Sequence, residues 1–78
     1  MDAKMTPVDV AAAAFGGLSK VAPAVGQHRT RGWHWKKGKG GSRPAGDFPS
    51  LKIVRDVRAA AAARGIDLPV AWLVYGAP

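Results

Sequence analysis

The chain has no cysteine, no glutamate, no asparagine and no long run of apolar residues. Without cysteine, a disulfide framework and a thiolate metal site are excluded. A membrane-spanning helix needs roughly 20 consecutive apolar residues, and no stretch approaches that length. Charged residues at Asp2, Lys4 and Asp9 interrupt the N-terminal region, so we expect no signal peptide. The 78 residues form one small domain at most.

Acidic residues are also scarce, with five Asp against twelve Lys and Arg, which gives a net charge of +7. The window from Gln27 to Pro44 contains no acidic residue and includes both histidines. Its cations are Arg29, Arg31, Lys36, Lys37, Lys39 and Arg43. A basic patch without interspersed acids indicates a polyanionic partner. The alternative interpretation is an ordinary solvated basic surface.

Capping signals and apolar spacing predict a first helix after a flexible tail over residues 1–5. Thr6 is a suitable N-cap, Pro7 suits the first helical position, and the glycines at 16–17 end the helix. The residues that share one apolar face are Val8, Ala11, Ala12 and Phe15.

A second and a third helix follow at once. The second is expected over about 18–26, with Ser19 as its N-cap and Gly26 at its end, while Pro23 either delays or bends it. The third is expected from about 29 to 35 or 37, although Gly32 in its middle weakens it by roughly 1 kcal/mol relative to alanine.

The second half begins with a basic, glycine-rich loop over 36–47, expected to be mobile without a ligand. The longest helix should begin at 48–50 and end at 64–65, with one face formed by Leu51, Val54, Val57 (or Arg58) and Ala61. Asp67 can cap a last short helix in the apolar C-terminal segment. We therefore predict an all-α domain of four to five helices over residues 6–76.

The spacing after Leu18 fits a helix-turn-helix unit over 18–37. Such a unit needs apolar residues at its fourth, eighth and eighteenth places, a small residue at the fifth and glycine at the ninth. The residues found there are Val21, Val25, Trp35, Ala22 and Gly26. The fifteenth place, usually a β-branched core residue, is Gly32.

With these residues in place, the chain resembles the Cro-like and YdaS-like helix-turn-helix regulators of bacteria and their phages. The resemblance runs from about Val8 to Gly76, through FGGLSKVAPAVG, the tryptophan near the end of the third helix, the proline-containing loop and AAAARGIDL. It implies a lambda repressor/Cro-like fold and sequence-selective binding of double-stranded DNA by a cytoplasmic transcriptional regulator at the bacterial nucleoid.

Single residues can be given roles in such binding. Arg29 or Arg31 can pair with a guanine, and Gln27 can read an adenine or bond a phosphate. The lysines from 36 onward and Arg43 suit phosphates, as does the start of the second helix. The candidate DNA-binding residues are Ser19, Lys20, Gln27, His28, Arg29, Thr30, Arg31, His34, Lys36, Lys37, Lys39 and Arg43.

The aromatic and histidine residues have structural alternatives. We interpret Trp35 as a core residue rather than a base-stacking one. For Trp33, a core position and an exposed position are both compatible with the sequence. Trp72 and Tyr75 suit the core or a dimer contact. The two histidines, at positions 28 and 34, lack further ligands for zinc.

The preferred function is a homodimeric repressor, because one recognition helix reads only a few base pairs and the apolar C-terminal segment offers a dimer contact. The first alternative is a nonspecific nucleic-acid-binding or architectural protein. A membrane-surface module is the second, and the glycines around GWHWKKGKGG disfavour it. We expect no enzyme, no cofactor and no small-molecule effector, since no catalytic set or phosphate-binding loop appears.

Overall fold

The computed structural model describes residues 5–38 and 44–78. In this part of the chain, helices account for all regular structure, which confirms the all-α prediction. The elements are α1 (Pro7–Phe15), a 3₁₀ helix η1 (Leu18–Lys20), α2 (Val21–Ala24), α3 (Thr30–Lys37), α4 (Leu51–Ala63) and α5 (Val70–Tyr75). Residues 1–4 of the predicted tail, Lys39 and Arg43 lie outside the described residues.

Helix α1 begins and ends where its capping residues predict. The Thr6 side chain accepts a hydrogen bond from the backbone N–H of Asp9 at 3.2 Å, and Pro7 takes the first helical position. Gly16 caps the C-terminus and donates its N–H to the carbonyl of Ala12. These contacts satisfy backbone groups that a helix end leaves unpaired.

The next segment differs from the prediction at its start. It opens as the 3₁₀ helix η1 with Gly17 before it, so the prediction of Ser19 as an N-cap is wrong. Pro23 is the third residue of α2, a place where the helix requires no backbone donor. The proline is therefore tolerated in a helix of only four residues, which ends at Ala24, before the left-handed Gly26 (φ +78°).

The last two helices differ in how they begin. The helix α4 begins at the predicted place, after Ser50, whose side chain accepts the Ile53 N–H at 3.3 Å. At α5 the N-cap position is Pro69, so Asp67 lies too far from the helix to cap it. Leu51 does not belong to the apolar face of α4, because 62% of it is exposed; the buried face consists of Ile53, Val54, Val57 and Ala61.

The core lies where all five helices meet. Its fully buried side chains are those of Val8, Val21, Val57 and Leu73, among the larger residues. Trp35 is 4% exposed and packs edge-to-face on Phe48, with ring centroids 5.6 Å apart. The interpretation of Trp35 as a core residue is therefore confirmed.

Gly46 ties the start of α1 to the end of α3. Its N–H donates to the carbonyl of Trp35 at 2.9 Å, and its carbonyl accepts the N–H of Val8 at 2.9 Å. Gly46 is buried and has φ +86°, a conformation that side chains disfavour. The last part of the predicted mobile loop is thus fixed to two helices.

Met5 and Ala77 form an isolated antiparallel bridge. The N–H of each residue donates to the carbonyl of the other, at 3.1 Å from Met5 and 2.9 Å from Ala77. Met5, which we expected in the flexible tail, is therefore held by the domain. Ala77 is buried, so the packed unit also extends one residue past the predicted limit at 76.

Candidate nucleic-acid interface

Helix α3 packs closely on η1 because residue 32 has no side chain. Gly32 is buried, and a Cβ atom there would lie 3.0 Å from the carbonyl oxygen of Leu18. A β-branched residue at this fifteenth place would push the two elements apart. Gly32 and Trp35 together hold one face of α3 against the domain, which leaves the opposite face to solvent.

The outward face of α3 carries a stripe of polar and aromatic side chains. Thr30, Trp33, His34 and Lys37 follow the spacing of one helical face and are all exposed. Trp33 is 57% exposed, so of the two positions left open by the sequence, core or surface, it occupies the surface. Trp33 is not among the predicted DNA-binding residues, although it lies three residues after Thr30 and four before Lys37. This spacing indicates that the three residues share one helical face.

The turn before α3 presents Gln27, His28 and Arg29, all exposed. The Nδ1 atom of His28 accepts the backbone N–H of Thr30 at 3.3 Å and lies 3.0 Å from the Thr30 hydroxyl oxygen. Arg29 occupies the N-cap position and provides no side-chain cap. The His28 ring therefore accepts one of the N–H groups that the start of α3 leaves unpaired.

A groove beside α3 brings three of the predicted residues together. Gln27, Arg31 and His34 line it, with Pro49 and Ile53 on the opposite wall. Arg31 thus lies at the edge of the outward stripe. The combination offers an amide, a guanidinium and an imidazole, three groups that form hydrogen bonds with base edges or phosphates.

The positive charges of α3 fall into two groups. Within residues 5–38 and 44–78, Arg29, Arg31 and Lys37 form no ion pair and are exposed. Lys36, in contrast, points towards α1, and its ammonium lies 2.9 Å from the Asp9 carboxylate. The predicted phosphate contact of Lys36 thus competes with an intramolecular partner.

The hydrogen bond from Lys36 lowers the pKa of Asp9 below its ordinary value, and bonds from Thr6 act in the same direction against the opposing effect of burial. A carboxyl whose pKa is lowered by folding stabilises the fold above its unfolded-state pKa. This stabilisation is lost as the pH falls through the folded value. The pair is well exposed, so its contribution is small.

The remaining predicted residues, Ser19 and Lys20, are exposed on η1. They line a cleft whose walls include Phe15, Pro23 and Arg64. The cleft lies on the element against which α3 packs. It therefore brings Arg64, the residue that follows α4, next to two residues predicted to bind phosphate.

Among the described residues, no group of three or more His, Asp or Glu side chains is placed to hold a metal ion. No described helix is long and apolar enough to cross a membrane.

No protein-family model, curated protein or solved structure matches the chain. Function must therefore be inferred from the residues and their arrangement.

Proposed function

We propose that the chain is a sequence-selective DNA-binding transcriptional regulator that places α3 in the major groove. The observation that carries this proposal is the exposed, acid-free outward face of α3, with Arg29, Arg31 and Lys37 unpaired within the described residues. With eight residues, α3 is roughly 12 Å long. An α-helix with its side chains is about 10–12 Å in diameter, which suits a major groove about 12 Å wide.

A helix-turn-helix arrangement is supported by the order of the elements. Residues Leu18–Ala24 form one helical arm, Gly26 lies in the turn, and α3 forms the second arm. Gly32 against Leu18 provides the close packing between the arms. The second arm would then be the recognition helix.

The exposed residues would have different roles in DNA recognition. Arg29 and Arg31, at the start of α3, would pair with guanines, and Gln27 would bond an adenine or a phosphate. Lys37 would bind a phosphate, which positions the helix without reading sequence. Thr30 would stabilise the first turn of α3 through its hydrogen bond with His28.

We propose that two copies of the chain associate through α5. Leu73 of this helix is buried in the core, whereas Trp72 is 40% and Tyr75 81% exposed. A surface with two large exposed aromatic residues suits a protein interface. Two recognition helices would read two half-sites, and occupation of a promoter by such a dimer at the nucleoid would repress it.

Replacing Tyr75 by glutamate should convert the dimer into a monomer, because a charge would be buried in the contact. Sedimentation equilibrium should show the dissociation constant rising at least about tenfold, which corresponds to about 1.4 kcal/mol. The control is Trp33→Ala, which removes an exposed tryptophan from another face and should leave the association unchanged. An unchanged mass for both variants would refute the α5 contact.

The test of the proposed function is a band-shift assay on fragments of the source genome with excess nonspecific competitor DNA. A selective regulator should retain complexes with a few fragments, because specific binding exceeds nonspecific binding by at least about a thousandfold. Loss of every complex under competitor would refute selective binding.

A nonspecific nucleic-acid-binding protein is the second candidate, and the exposure of Trp33 favours it. An exposed indole beside unpaired cations can stack on the bases of a single strand. In that case the affinity should fall steeply with salt and differ little between sequences.

A further inference from the structure

A second basic surface lies at η1, the element against which α3 packs. Its cleft is lined by Phe15, Ser19, Lys20, Pro23, Ala24 and Arg64. The two cations come from different elements, since Lys20 belongs to η1 and Arg64 follows the end of α4. No acidic residue of the described chain lines the cleft.

The guanidinium of Arg64 is held in a defined position. Its central carbon lies 4.8 Å from the centroid of the Phe15 ring, a cation–π contact. Its Nη1 atom donates to the carbonyl of Ala60 at 3.3 Å. A planar guanidinium fixed on one face by a ring still has further N–H groups to donate, which suits an oxyanion.

Lys20 lies on the same side of the domain. A Cβ atom built on Gly16 would be 3.9 Å from the Lys20 ammonium, so this ammonium lies over the end of α1, next to Phe15. Ser19 adds an exposed hydroxyl to the same cleft. The cleft therefore offers two cations and one neutral donor.

We propose that Ser19, Lys20 and Arg64 together bind one phosphate of the DNA backbone, with Arg64 contributed by the end of α4 as a phosphate-binding residue. The inference rests on the proposed function. The cleft begins one residue after Leu18, whose carbonyl oxygen lies against Gly32 of α3. In the proposed complex, the phosphate bound there would belong to the strand that flanks the groove occupied by α3. Such a contact fixes the orientation of the domain and adds no sequence preference.

The experiment measures the salt dependence of duplex binding by the full chain and by two charge-matched variants. Arg64→Gln removes the proposed phosphate contact. Arg58→Gln removes an exposed arginine of the same helical segment, which lines a different groove, between α4 and α5. Each phosphate contact contributes about 0.9 to the slope of log K against log salt concentration.

We expect Arg64→Gln to reduce the slope by about 0.9, whereas Arg58→Gln should leave it unchanged. The two variants should have the same ratio of specific to nonspecific affinity, since neither residue is proposed to contact bases. Equal slopes for the two variants would overturn the proposal, because the effect of Arg64 would then be one of net charge only.

Thermal melting of both variants comes first, since Arg64→Gln also removes the contact with Phe15. An independent measurement uses the unsubstituted protein, in which the Arg64 Nε–H resonance should shift during titration with duplex DNA. Resonances of α3 that shift while Arg64 stays constant would overturn the inference and leave the proposed function intact. If the unsubstituted chain binds no duplex, the proposed function fails, and this inference fails with it.

Discussion

Gly46→Ala should destabilise the domain by about 3 kcal/mol or more. A Cβ atom at this position would overlap the Thr6 side chain, lying 2.6 Å from both Cγ2 and Oγ1 and closer still to Cβ. The left-handed backbone conformation alone costs about 1–2 kcal/mol for a residue with a side chain. Movement of Thr6 would also weaken the cap of α1, worth about 1 kcal/mol.

Urea unfolding followed by circular dichroism measures this loss. A domain of 78 residues has a total stability of roughly 4–12 kcal/mol, so the variant would be partly unfolded at room temperature at the lower end of this range. The matched control is Gly65→Ala, where φ is +75° and a Cβ atom would meet nothing within 4 Å. The stability of the Gly65→Ala control should fall only by the cost of the left-handed backbone conformation. Similar losses for both variants would show that the contact with Thr6 is unimportant.

The second large effect is expected from replacing Arg29 and Arg31 together by alanine. The ratio of specific to nonspecific affinity should fall at least about tenfold, since one bidentate arginine–guanine pair contributes about 1–3 kcal/mol of discrimination. Both side chains are exposed, and alanine is a good helix former, so the fold should survive.

The control removes the same charge from elsewhere. Arg55 and Arg58 are exposed on α4, and their replacement by alanine should leave the ratio unchanged. Fluorescence anisotropy with a selected fragment and a scrambled duplex gives both affinities. A ratio that stays constant in the Arg29/Arg31 variant, with a reduced affinity for both duplexes, would identify a nonspecific binder.

Local signals in the sequence predicted most helix boundaries. Thr6 caps α1 as expected, because an N-cap bonds only to residues two or three places further on, and α4 begins within the predicted range. Ser19 and Asp67 carry the same signal but do not cap. A 3₁₀ turn starts before Ser19, and Pro69 sets the start of α5.

Contacts between distant parts of the chain could not be predicted in this way. Lys36 pairs with Asp9, 27 residues away, so whether it faces solvent or α1 depends on how α3 is rotated against the core. Gly32 looked like a weakness of α3, although it permits the contact with Leu18. In the sequence, Arg64 is only a residue at the end of the longest helix, and its contact with Phe15 is visible only in the fold. Each of these features depends on how two separate elements pack together, and the local sequence pattern of either element does not determine that packing.

The bonds of Gly46 also have a consequence for the cost of association. The carbonyl of Trp35 and the N–H of Val8 are bound to the same residue, so the end of α3 cannot unwind without disturbing the start of α1. The helix is therefore already formed and oriented before it meets a ligand. Binding then requires little loss of backbone entropy, which elsewhere amounts to about 1–2 kcal/mol for each residue that becomes ordered.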